Sequence, residues 1–145
     1  MKTYVGVVLT KPDGSVLVQL RDDNPNIDYP NQWSTIGGLK EKYETSTIAA
    51  LRELEEETGH RVVEGELRPL IEDTFEKPGG ERVKRIVYLG PYDGKQQINT
   101  NEGQEIRFLS QGELESLPNI INIDLPLLKK ASEIALSTTD VEREN

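Results

Sequence analysis

Residues 3–20 form two apolar blocks, Thr3 to Thr10 and Ser15 to Leu20, split by Pro12-Asp13-Gly14. Both blocks are rich in Val and Leu, which suit a buried pleated surface, and the Pro/Gly segment supplies a turn, so the pair predicts a β-hairpin. Residues 21–32 lose the pattern and carry Pro25 and Pro30, which reads as a loop. Trp33 to Ile36 predicts a short strand ending at Gly37-Gly38, and Glu66 to Phe75, Arg82 to Leu89 and Glu105 to Leu109 predict three more. Gln111 to Leu117 reads as a short helix. Asp124 to Leu136 reads as a longer one, with Leu127, Leu128, Ala131, Ile134 and Ala135 at helical spacing. A polar tail, expected to fray, follows from 137 to 145.

The segment with the most chemistry is the helix expected over Thr45 to Thr58, opened by Thr and Ser and stopped by Gly59. At 100° per residue, Glu53, Glu56 and Glu57 share about a third of its circumference. Ile48, Leu51 and Leu54 lie on another side and are expected to face the core. Carboxylates spaced i, i+3 and i+4 repel by a few tenths of a kcal/mol per pair, so something positive should offset them. Arg52 reaches Glu56, but one guanidinium cannot neutralise all of them. A hard divalent cation with oxygen ligands, Mg²⁺ or Mn²⁺, fits the remainder, while a solvated acidic face is the competing reading. Gly37-Gly38 before the helix frees a backbone carbonyl to approach such an ion, and Glu44 stands just ahead of the first turn.

Composition narrows the field. The 145 residues suit one domain, expected over 1–136, with no repeat or linker. Strands at both ends with one long helix between them predict an α/β class with a partly antiparallel, mixed α+β sheet. A net charge of -9 argues against binding a nucleic-acid polymer, but not against a phosphate substrate bridged by cations. With no cysteine and a single histidine, His60, thiol chemistry and a His-rich zinc site are excluded. The apolar run Tyr4 to Leu9 is too short for an export signal, and nothing approaches a membrane span. A soluble cytoplasmic protein is the default expectation.

Gly38, five residues, Glu44, seven residues, then Arg52-Glu53-Leu54-Glu55-Glu56-Glu57-Thr58-Gly59 is similar to the signature box of the Nudix hydrolases. The order of elements around it also resembles that family's α/β/α sandwich. Two positions depart from the pattern: His60 follows Gly59 where the family usually has an aliphatic residue, and Ile36 stands where proline often precedes the glycines. His60 is expected to be a partly exposed loop residue. The resemblance implies a metal-dependent hydrolase of nucleoside diphosphate derivatives. It makes Glu53, Glu56 and Glu57 metal ligands together with the carbonyl of Gly37 or Gly38, and Arg52 and Glu44 orienting residues. Many relatives recruit a further acid from a later loop. Glu102 is the first candidate here, as ligand or base, and Glu105 the second, against a solvated turn. Either Glu53 or Glu102 could take a proton from water.

Substrate contacts are expected outside the box, from Arg21, Asp23 and Trp33. An arginine at a strand end could grip a phosphate and an aromatic could stack on a base. The competing readings are core packing for Trp33 and a surface ion pair with Asp22 or Asp23 for Arg21. The markers of ADP-ribose, NADH and dinucleotide-cleaving relatives are missing: Pro69 and Pro78 straddle one expected proline, and Phe75 to Pro78 occupy the place of an expected tyrosine. A nucleoside triphosphate pyrophosphohydrolase is therefore the favoured expectation. An ADP-ribose or nucleotide-sugar pyrophosphatase is the alternative, and a non-catalytic nucleotide sensor on the same fold is the reading from a different class. The expected partner is a small-molecule nucleotide, with neither nucleic acid nor membrane. The oligomeric state is left open, a homodimer included.

Overall fold

A computed structural model describes the backbone of residues 1–144 and the side chains of residues 1–138. The strands are β1 (Thr3–Thr10), β2 (Val16–Leu20), β3 (Trp33–Ser34), β4 (Ile36–Leu39), β5 (Arg68–Glu76), β6 (Arg82–Pro91) and β7 (Glu105–Leu109). The helices are α1 (Ser46–Thr58), α2 (Gln111–Ser116) and α3 (Leu125–Glu144), with a 3-10 turn at Glu64–Glu66. α3 thus runs past the end expected at Leu136. The expected frayed tail lies, for all but its first residues, outside the described side chains.

β1 organises the sheet. One edge pairs in parallel with β6, from Thr3↔Lys84 to Thr10↔Pro91. The other edge is shared, β4 pairing antiparallel with Tyr4 to Val7 and β2 meeting it at Thr10↔Val16. β2 carries β3 and β7, and β6 carries β5. The unbroken apolar runs of β1 and β2 follow from burial on both faces. Val5, Val7, Leu9 and Leu17 pack with Ala49, Ala50 and Leu54 of α1, while Val8, Val16 and Val18 pack with Leu127, Leu128 and Ala131 of α3. Successive residues point to opposite sides, so one strand serves two cores. The result is the expected mixed α/β/α sandwich.

Where one short strand was expected over 33–36, the chain breaks at Thr35. β3 stays with β2 and β4 crosses to β1. The Thr35 N–H, out of the ladder, donates to Asp124 Oδ2 at 3.0 Å instead. Ile36 opens β4 opposite Val7 and is fully buried, so the core has a use for an aliphatic residue at that departure from the family pattern.

Thr45 caps α1 by accepting from Ile48 N, and Gly59 ends it at φ 76°, its N–H donating to Glu55 O. The buried face differs from the expected one. Ile48 is 46% exposed, and α1 rests on the sheet through Ala49, Ala50, Leu54, Glu57 and Thr58. Leu54 is buried as expected and Leu51 half-buried, but the small side chains of Ala49 and Ala50 make the close approach to β1 and Ile48 is turned outward. His60 also departs from expectation, being 1% exposed and packed against the Tyr92 ring at 5.4 Å. Its backbone N–H goes to Thr58 Oγ1, which turns the chain inward after the helix. Among the described residues, no helix is long and apolar enough to cross a membrane.

Candidate active site

The rotation of α1 places its acids in unequal surroundings. Glu56 stands in solvent with a side chain 59% exposed, Glu53 is largely covered at 14%, and Glu57, on the edge of the core face, is 3% exposed. Glu57 Oε2 has no hydrogen-bond partner among the described residues. Burial, then hydrogen bonding to the Glu102 carboxyl and the charges of Glu102, Glu53 and Glu56, pushes its carboxyl up to about 10. Burial also raises Glu53, against the pull of Arg52.

Arg52 is the hub of the loop before the helix. Its Nε and NH2 donate to the two oxygens of Glu44 at 2.7 and 2.9 Å, a bidentate grip. NH2 also donates to Leu39 O at 3.3 Å, and NH1 bridges Glu53 Oε1 at 2.9 Å and Glu56 Oε2 at 3.3 Å. Those bonds, with the Glu41 N–H on Glu44 Oε1, hold the Glu44 carboxyl down at about 2. The expected orienting pair therefore ties β4, its following loop and α1 into one unit. Glu55 faces elsewhere, paired with Arg61 at 2.9 Å.

Gly38 completes this side. A Cβ there would stand 2.5 Å from the Glu53 carboxyl carbon, so any side chain at this position would displace the Glu53 carboxylate from the strand. Glu102 arrives from the loop before β7 and stands beside Glu57. Asn101 N donates to Glu57 O and Asn101 Nδ2 to Glu56 O, so its loop is strapped to the end of α1. Glu105 is not brought to the acids. It pairs with Arg107 at 3.3 Å on the exposed side of β7. Among the described residues, no three acidic or histidine side chains yet converge closely enough to enclose an ion. Arg52 draws Glu53 and Glu56 to itself.

Beside this unit opens a cavity of about 260 Å³, lined by Gly37, Gly38, Arg21, Tyr29, Ser34, Phe75, Arg85 and Asp124 among others. Arg21 lies in its wall, its Nε donating to Asp28 O at 2.8 Å. No ion pair of Arg21 with Asp22 or Asp23 forms among the described residues. Asp23 is exposed and outside the cavity. Trp33 is a correction: at 4% exposed it sits in the core under the Arg107 guanidinium, 5.0 Å away, with no face open to a base. The aromatic residues that do line the cavity are Tyr4, Tyr29 and Phe75. Tyr29 belongs to the loop expected to carry substrate contacts, whereas sequence reasoning missed Tyr4 and Phe75, along with Ser34, Arg85 and Asp124. Asp124, next to the start of α3 and just before Leu125-Pro126, carries a helix-start signal that conceals its inward-facing carboxylate.

A family model described as the NUDIX domain matches residues 2–131, and the chain belongs to the Nudix family of hydrolases. Solved structures agree on the fold. A MutT NUDIX hydrolase from Burkholderia pseudomallei superposes with TM-score 0.73 at 21% identity, covering 89% of this chain and 96% of that one. The MutT protein from Methanosarcina mazei Go1 gives 0.74 at 18% identity, covering 99% and 96%. The NUDIX domain of Shewanella oneidensis NrtR, complexed with ADP ribose, gives 0.74 at 18%, covering 91% and 86%. A search of curated proteins finds no match.

Proposed function

We propose that this chain hydrolyses a nucleoside triphosphate to a nucleoside monophosphate and pyrophosphate, with Mg²⁺ or Mn²⁺ as cofactor. The supporting observation is one of adjacency: Gly37 and Gly38 line the cavity together with Arg21, while Gly38 also lies against the Glu53 carboxylate. A nucleoside in the cavity would thus lead its phosphates onto the acids of α1. The donor set suits a hard cation, being all oxygen, and Glu57 Oε2 is a buried acceptor with no donor. Glu53, Glu56, Glu57 and Glu102 would hold it, with the carbonyl of Gly37 or Gly38. When bound, it supplies charge neutralisation at the phosphate oxygens and lowers the pKa of a ligated water.

The chain's own residues do the rest. Glu53 or Glu102 accepts the proton of the attacking water. Water adds to the α- or β-phosphorus, the anhydride P–O bond between them breaks, and the bridging oxygen leaves with the other phosphate. Arg52, locked to Glu44, keeps Glu53 and Glu56 facing the reaction. Arg21 holds the phosphate tail or the base.

The test is purified protein with Mg²⁺ against the common nucleoside triphosphates, oxidised guanine nucleotides and ADP-ribose, with phosphate and pyrophosphate measured separately. Pyrophosphate from a triphosphate is the expected product, and Arg21→Ala is expected to raise KM more than it lowers kcat. Faster cleavage of ADP-ribose to AMP and ribose phosphate would overturn the reading.

A further inference from the structure

The cavity beside Gly38 differs in chemistry between its rim and its floor. Rim charges are spent on one another: Asp28 on Lys77 at 3.3 Å, Lys77 on Glu81 at 3.7 Å, Glu81 on Lys2 at 3.6 Å. Tyr29, Phe75, Val83 and Ile121 give apolar wall. Asp124 lies deeper, 5% exposed. Its Oδ2 accepts from Thr35 N at 3.0 Å and Thr35 Oγ1 at 3.4 Å, and its Oδ1 accepts from Arg85 NH1 at 3.0 Å. Both oxygens receive N–H donors, so the group meets the cavity as an acceptor. A carboxylate has about four acceptor sites, which leaves one open on Oδ1. Arg85 is anchored behind it by Asp73, through Nε at 2.9 Å and NH2 at 2.8 Å, and by Ile123 O.

Ser34 is the second, independent signal. It lines the same cavity, is 6% exposed, and its Oγ has no hydrogen-bond partner among the described residues. Leaving such a group buried and unpaired is destabilising, and a ligand in the cavity would relieve that. Tyr29 adds a third feature. It sits in the left-handed region at φ 51°, a strained conformation for a non-glycine residue that gathers at ligand sites.

We propose that this cavity is a base-recognition site that selects nucleobases bearing an exocyclic amino group, the amino N–H donating to Asp124 and the base edge satisfying Ser34 Oγ. This rests on the nucleotide reading above and specifies its substrate class. A carboxylate held as an acceptor attracts an amino group and repels a carbonyl oxygen at the same position. Replacing amino by carbonyl therefore exchanges a charge-assisted hydrogen bond for lone-pair repulsion.

The test is calorimetric titration with nucleoside monophosphates in chelator, where hydrolysis plays no part. The probes are the pairs AMP and IMP, CMP and UMP, GMP and XMP, each differing by amino against carbonyl. The tightest ligand is expected to be an amino-bearing one, with its deaminated partner bound about tenfold or more weakly. Asp124→Asn, which offers an amide donor, should shrink that ratio. Ser34→Ala, which leaves the Arg85 ion pairs intact, should weaken the tight ligand several-fold while the thermal midpoint of the free protein holds or rises, since a buried unpaired hydroxyl is removed. Equal binding within each pair, no binding of any monophosphate, or a ratio indifferent to both substitutions overturns the proposal. Triphosphate hydrolysis with no base preference would leave the hydrolase reading standing and remove this one. Amino selectivity without pyrophosphate release would do the reverse.

Discussion

Glu57 shows how one residue can serve both a core and a site. It occupies a core-facing position of α1, where an apolar side chain would add packing, yet it carries an acid with an unpartnered oxygen. In metal-free protein such an acid is tolerated best when protonated. Its folded pKa of about 10 lies above the ordinary 4.5, so its contribution to stability is full below pH ~4.5 and is lost as pH climbs toward 10. Glu57→Gln removes that dependence. Thermal midpoints in chelator should therefore fall more between pH 5 and pH 8 for the natural chain than for Glu57→Gln, and parallel curves would show the reading wrong. With Mg²⁺ present the same substitution should lower kcat by orders of magnitude. Glu55→Gln, whose exposed partner is Arg61, should leave kcat nearly unchanged.

At the scale of elements, the sequence was most legible where signals are local. The hairpin turn, the cap at Thr45, the stop at Gly59 and the box from Gly38 to Gly59 are contiguous, and each lies where the pattern puts it. The buried face of α1 was less legible, because apolar size points to Ile48 whereas close packing on β1 chooses Ala49 and Ala50. The split at Thr35 was not legible at all, since its cause is a carboxylate 89 residues away. One link between elements has a direct consequence for activity. Gln104 Nε2 donates to Arg21 O at 2.8 Å and to Asn31 Oδ1 at 2.9 Å, tying the loop of Glu102 to the loop of Tyr29. Gly103 allows that approach, at φ 76° and with a Cβ position only 2.6 Å from Leu20 O. Gln104→Ala should raise KM several-fold as the substrate loop loosens, with a smaller change in kcat, while Gln104→Glu should not restore it because both donors are lost. An unchanged KM in both variants would mean that the tie does no positioning.

At the scale of the molecule, the acids were readable and the cavity only at Arg21 and the Gly37-Gly38 turn, for one physical reason. Glu53, Glu56 and Glu57 lie within a single helix, whose period projects onto sequence. The cavity draws Arg21, Tyr29, Ser34, Phe75, Arg85 and Asp124 from separate parts of the chain, and only the folded sheet assembles them. The same assembly concentrates negative charge at the end of α1 in a chain already at -9, with Arg52 as the bridging cation. The folded protein should therefore bind divalent cations that the unfolded chain does not, and stability should rise by RT ln(1 + [M]/Kd), about 2.7 kcal/mol at a hundredfold excess over Kd. Scanning calorimetry with increasing Mg²⁺ or Mn²⁺ should show a climbing midpoint, as far as general ionic strength, controlled with matched NaCl, cannot explain it. The climb should be reduced in Glu56→Gln and nearly abolished in Glu57→Gln, but retained in Glu105→Gln, whose acid faces Arg107 instead. A midpoint that rises equally in all three variants would place the cation elsewhere and detach the acids of α1 from the role assigned to them.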